Sequence, residues 1–127
     1  MNTDQFIEGV RVAVYHAAIR GVLKDLAESA GKPPWRDLPE LSRWFEGLPA
    51  GDKEKVAGIV RHAAYAAVFT MMAALDGVSA IDDQATELYL RTGDGTALNE
   101  NHDLHELFQI TVDHELGYVD ESGNPIT

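Results

Sequence analysis

The sequence predicts an α+β fold, mainly α: a small helical core around one central apolar helix, with a β-hairpin near residues 87–99 and a C-terminal helix. Three observations predict it. Residues 63–75 carry no charge at all. Residues 87–99 switch to strand-like alternation around a glycine-rich turn, and Leu104, Leu107, Phe108, Thr111 and Val112 return to helical spacing. A chain of 127 residues suits one domain, 1–127.

Thr3 to Ala30 reads as the first helix. Phe6, Ile7, Val10, Val14, Ala17, Ala18, Gly21, Val22 and Leu26 follow a broad helical stripe, while Arg11, Arg20, Lys24, Asp25 and Glu28 fall mostly off it. Gly31 and Lys32-Pro33-Pro34 end it. Gly9 and Gly21 mark weak points, or places where another helix comes close. Residues 35–47 read as a short second helix with Asp37 as cap, Pro39 in the first turn and Gly47 as stop. Leu38, Leu41, Trp44, Phe45 and Leu48 form its packing side. Trp35 and Trp44 are expected to anchor this segment over the core, the alternative being an aromatic contact with a partner.

The organising stretch is Asp52 to Asp76. Leu48-Pro49-Ala50-Gly51 is poor helix, so Asp52 is expected to cap, and Lys53, Glu54 and Lys55 make a solvated first turn. A helix that is apolar on every side is expected to be surrounded on every side. Alanines would admit close neighbours, with Phe69, Met71, Met72 and Leu75 filling volume; a ligand pocket lined by Phe69 and the methionines is the alternative. Thirteen uncharged residues rise about 20 Å, short of a bilayer's roughly 30 Å core, so a membrane span is not expected. Asp76-Gly77 supplies the stop.

Glu87-Leu88-Tyr89-Leu90-Arg91, the turn Thr92-Gly93-Asp94-Gly95 and Thr96-Ala97-Leu98-Asn99 give the hairpin, with Tyr118-Val119 as a candidate third strand. Asp103 to Leu116 is the last helix. Asp103 and Glu106 stand at capping-box spacing, and Gly117 ends it.

Charge is the strongest compositional fact. Residues 1–64 carry nine Lys/Arg and nine Asp/Glu, whereas residues 65–127 carry one cation, Arg91, against twelve acids. The whole excess of the −11 net charge sits in the second half. Such a field repels nucleic acid and anionic lipid and attracts a basic protein. Asp82, Asp83, Glu87, Asp94, Glu100, Glu106 and Asp113 are the candidate partner-binding acids. There is no cysteine, which excludes disulfides, thiolate zinc sites and a Cys nucleophile, and fits a cytoplasmic setting. No secretion signal is read at the N-terminus.

The ligand-type residues cluster at His102, His105, Glu106 and Asp113. If the last helix extends back to His102, then His102, Glu106, Gln109 and Asp113 share one stripe, and His with an acid four residues on is a workable metal pair. A metal-dependent enzyme or metal-binding protein is therefore the alternative to a binding module. The stripe is also where a solvated polar face would lie, and no His-Glu-x-x-His motif is present. His16 and His62 sit in separate helices, where each suits an ordinary hydrogen-bonded role. The Gly93-Asp94-Gly95 turn lacks acids at calcium-loop spacing. No phosphate-cradling loop, dinucleotide fingerprint or nucleophile elbow occurs, so no cofactor is expected and no residue set asks for an enzyme.

Trp44-Phe45-x-x-Leu48, Leu75-Asp76-Gly77-Val78, Glu87-Leu88-Tyr89-Leu90, Leu98-Asn99 and Asp103-Leu104-His105-Glu106-Leu107-Phe108 resemble small acidic bacterial proteins of uncharacterised function, of the kind of the immunity proteins of polymorphic toxin systems. The resemblance covers residues 44–108 and carries over no functional residue. It implies a small cytoplasmic protein that binds a partner. A homodimer is a further expectation.

Overall fold

Asn2-Thr3-Asp4-Gln5 starts a helix by mutual capping. In the computed structural model, which describes residues 1–28 and 37–126, the Asn2 side chain accepts from Gln5 N at 2.8 Å, and the Gln5 side chain accepts from Asn2 N at 2.9 Å. The first helix, α1 (Thr3–Val10), runs without a break into a π-helical stretch, Arg11–His16, and then α2 (Ala17–Ala27). After it come α3 (Leu38–Glu46), α4 (Ala50–Leu75) and α5 (Leu104–Glu115).

The π-helical stretch changes which residues are buried. An unbroken α-helix would continue the Ile7 and Val10 stripe through Val14, as the spacing predicts. The wider turn adds a residue to the count. Tyr15 is buried at 4% exposure instead, followed by Ile19 and Leu26, while Val14 and Val22 stand exposed. Gly9 and Gly21 face open space, so neither marks a close helix approach.

The chain forms two compact units, Met1–Val14 with Ala66–Thr127 and Tyr15–Tyr65. In the first, α1 packs on α5, and Ile7, Val10, Val68, Met72, Ala73, Leu98, Leu104, Phe108 and Val112 are buried. Arg11 Nη1 donates to Glu115 at 2.7 Å, and Thr3 Oγ1 donates to the Leu98 carbonyl at 3.0 Å. In the second, α2 packs on α3. Ser42 is fully buried, and its hydroxyl donates to the Leu26 carbonyl at 2.7 Å, satisfying a group that the end of α2 leaves open. Tyr15 and Tyr65 meet edge to face with centroids 6.5 Å apart.

Three expectations are corrected. The α+β class is overturned: helix takes up 62% of the described residues, and among them there is no strand, hairpin or sheet. The 92–95 turn exists, but pairing stops at one bridge, Arg91 with Ala97. The cause is Asn99. Its side chain accepts from Leu90 N at 2.9 Å and donates to the Leu88 carbonyl at 2.8 Å, taking over groups that a ladder would need. Val119 bridges Pro125 within the tail rather than supplying a third strand.

Second, α4 is not enclosed. Ala57, Val68, Met72 and Ala73 are buried, but only 17% of its most apolar eighteen-residue window is, and neither closely packed helix pair includes it. By length and composition alone α4 would qualify as a membrane span. Uniform apolarity says that a helix tolerates burial on any side; it does not say how many sides are covered. It also starts earlier than expected: Asp52 N and Lys53 N both donate to the Pro49 carbonyl at 3.0 Å, so Asp52 lies inside the first turn.

Third, Leu41 and Trp44 are exposed, at 46% and 56%, so Trp44 is no core anchor. Asp37 precedes α3 in a left-handed conformation without a side-chain cap bond. Trp35 and the Gly31–Pro34 stop lie outside the described residues.

Phe108→Ala is expected to cost about 3–5 kcal/mol in urea unfolding, and Trp44→Ala under about 0.5 kcal/mol. Gly21→Ala is expected to stabilise by about 0.5–1 kcal/mol, because the new methyl meets nothing and the helix gains propensity.

Candidate functional site

The uncharged run of α4 ends on a charge, and that charge is buried. Gly77, at φ 79°, closes a Schellman turn: Val78 N donates to the Ala73 carbonyl at 2.9 Å and Gly77 N to the Ala74 carbonyl at 3.1 Å. Asp76 precedes it, its side chain wholly inaccessible. Asp76 Oδ2 accepts from His105 N at 2.9 Å and lies 2.5 Å from His105 Nδ1. His105 is the second residue of α5, so Asp76 caps this helix from 29 residues upstream. A carboxylate at a helix N-terminus is favoured by the unpaired N–H groups and the helix dipole.

The expected cap does not form. Asp103 makes no side-chain cap bond, and its Oδ1 is buried without a partner, as is Asp76 Oδ1. Asp76's backbone carbonyl is used as well, by His102 Nδ1 at 3.0 Å. A carbonyl only accepts, so Nδ1 is the donor on His102, and the same tautomer of His105 lets its Nδ1 donate to Asp76 Oδ2. Each Nε2 then turns to an acid: His102 to Glu87 at 4.0 Å, His105 to Glu106 at 3.8 Å. Phe69 meets His105 edge to face, at 5.8 Å between centroids. Asn99, 4% exposed, donates to the Leu75 carbonyl at 2.7 Å and completes the end of α4.

Asp76, Glu87 and His102 line an open cavity of about 330 Å³ together with Ser79 and Thr86. A second, of about 210 Å³, is lined by Glu87, Glu100 and His102 among others. Of the residues singled out from the sequence, the fold thus gathers Glu87, Glu100, His102, His105 and Glu106. The helical metal stripe does not form. His102 lies before α5, at φ 54°, so it is off the line of Glu106 and Asp113. Among the described residues no group of three or more His, Asp or Glu side chains is placed to hold a metal ion. What the cluster can do chemically is accept protons at two imidazole nitrogens beside acids.

Three acids do structural work in loops. Asp82 accepts from the Thr86 hydroxyl at 2.5 Å and from Thr86 N at 2.9 Å. Asp94 accepts from the Thr92 and Thr96 hydroxyls and from Thr96 N. Asp120 accepts from Ser122 N and Asn124 N, both at 2.9 Å. These bonds hold each carboxyl below its ordinary value of 3.8: chiefly the Thr86 hydroxyl for Asp82, the Thr92 hydroxyl for Asp94 and the Asn124 N–H for Asp120. Asp83 and Glu100 are exposed, and Asp113 is half-buried.

Sequence reasoning missed Asp76 and Asn99. The signal for Asp76 was available: an acid that directly abuts an uncharged helix has little water to face. Nothing local marks Asn99. No protein-family model, curated protein or solved structure matches this chain.

Asp76→Ala is expected to cost about 3 kcal/mol and to speed amide exchange at the start of α5, because it orphans His105. Asp103→Ala is expected to cost under about 0.5 kcal/mol. Carboxyls with lowered folded values bind fewer protons folded than unfolded. Their contribution is complete above the ordinary aspartate value and is lost as pH falls through the lowered ones. Acid titration of Asp82→Asn, Asp94→Asn and Asp120→Asn is therefore expected to show a flatter loss of stability below pH 3.8 than the parent chain.

Proposed function

We propose that this chain is a non-enzymatic binding protein, immunity- or antitoxin-like, that docks a basic protein partner through residues 65–127. The observation that carries this reading is the one-sided charge, twelve acids against one cation in that half. Asp83, Glu87, Glu100 and Glu106 stand exposed, so their charges face water and whatever approaches. Asp82 and Asp94 are exposed yet already held by their loops, which lowers the ordering cost of meeting a cation. A field of this sign steers basic partners and repels nucleic acid and anionic lipid. The resemblance of residues 44–108 to small acidic bacterial proteins, loosely like immunity proteins, and the cytoplasmic setting it implies belong to the same proposal.

The test is retention of proteins from a lysate of the source organism on immobilised chain. Retained proteins are expected to be basic and to elute with salt, as screening shortens from about 10 Å at 0.1 M to about 3 Å at 1 M. Glu87→Lys combined with Glu106→Lys is expected to cut retention about tenfold or more. Retention without basic bias, or indifferent to salt, would sink the reading.

A further inference from the structure

His102 donates from Nδ1 to the Asp76 carbonyl at 3.0 Å, so in the neutral ring its Nε2 is an acceptor. Glu87 Oε1, which it faces, is an acceptor as well. The two stand 4.0 Å apart, too far for a hydrogen bond to each other. Two acceptors so placed call for a group that brings several donors between them. Both residues line the open cavity of about 330 Å³. Ligand cavities run from about 300 to 1,000 Å³, so this one suits a single side chain and not a large cofactor.

Charge selects the kind of donor. Leu75 and Gly77 set the C-terminal end of α4 in the cavity wall, where the helix dipole favours a cation. Asp76 lines the cavity too, and its buried carboxylate has one oxygen, Oδ1, without a hydrogen-bond partner. Among the described residues no Lys or Arg lines this cavity, whereas Arg91 lines the neighbouring one of about 210 Å³.

We propose that this cavity receives the guanidinium of one arginine side chain of the basic partner, held between Glu87 and His102 Nε2. The partner as source rests on the docking reading above; the preference for a guanidinium rests on the cavity alone. Arginine suits the site better than lysine. Its planar fork of N–H donors pairs with a carboxylate and has donors left for an imidazole nitrogen, and it is the more weakly hydrated cation. Leu75, Ala80 and Ala85 offer its methylene stem an apolar wall. A divalent metal ion fits worse, because among the described residues no three His, Asp or Glu side chains converge to hold one.

The test is a titration of the whole, nitrogen-15-labelled chain with N-acetyl-arginine amide, followed by NMR. Saturable shifts are expected at the amides of Gly77, Ser79, Thr86, Glu87 and His102 and at His102 Nε2, with a dissociation constant of about 1–10 mM for so small a probe. N-acetyl-citrulline amide, uncharged and of the same shape, is expected to give none. Glu87→Gln and His102→Asn are each expected to weaken binding about tenfold; asparagine accepts the φ of 54° at position 102. Glu106→Gln, outside the cavity, is expected to leave the shifts unchanged. No saturable shift through the tens of millimolar overturns the proposal, as does an equal response to citrulline or an equal loss with Glu106→Gln. Calcium chloride giving the same shifts at lower concentration overturns it in favour of an inorganic cation. Basic proteins retained from lysate by a chain that shows no cavity shifts overturn this inference and leave the docking reading standing. Cavity shifts in a chain that retains no basic proteins support the guanidinium site and overturn the partner as its source.

Discussion

The buried carboxylate of Asp76 is the constraint on which the first unit depends. One residue closes two helices. Its own N–H finishes α4 on the Met72 carbonyl, its carbonyl takes His102, and its side chain takes the backbone and ring of His105. A charge with no access to water survives only when fixed donors replace its hydration. The start of α5 supplies them to Oδ2 and leaves Oδ1 without one, which ties Asp76 to the site where Leu104, Phe108 and Val112 enter the core. Packing and electrostatics are thus coupled at one point.

The connection between α4 and α5 follows one pattern. Short polar side chains take the backbone groups that a sheet would have paired. Asn99 serves the Leu75 and Leu88 carbonyls and Leu90 N, while Asp82 and Asp94 each close their own loop, as Asp120 does in the tail beyond α5. Side-chain acceptors of this kind compete with ladders. The acidity of the second half therefore has two components. Some carboxylates are parts of loops, and others, such as Asp83 and Glu100, are left to set the surface field.

Legibility varied with how local the cause was. The helix stops at Gly77 and Gly117 were readable because a left-handed glycine after an apolar stripe needs only its neighbours. The Leu104, Phe108 and Val112 stripe was readable for the same reason. The Asp103 cap was misread because a residue far upstream outcompeted it. The Val14 stripe was misread because the π-helical stretch shifts the helical phase by one residue. The candidate cluster was half legible: His102, His105, Glu87 and Glu106 stand out as residue types, but the acid that organises them was hidden as a helix stop.

By itself the sequence determined the helical spacing, the stops at glycine, the absence of thiol chemistry and the placement of eleven excess negative charges after residue 64. These depend on covalent identity and on neighbours a few residues apart. Only the tertiary structure decided that α4 is covered on part of its circumference, that residues 87–99 form bonded loops rather than strands, and that Asp76 caps α5. Each is a competition between partners distant in the chain, and the winner is set by which groups the fold brings within hydrogen-bonding reach.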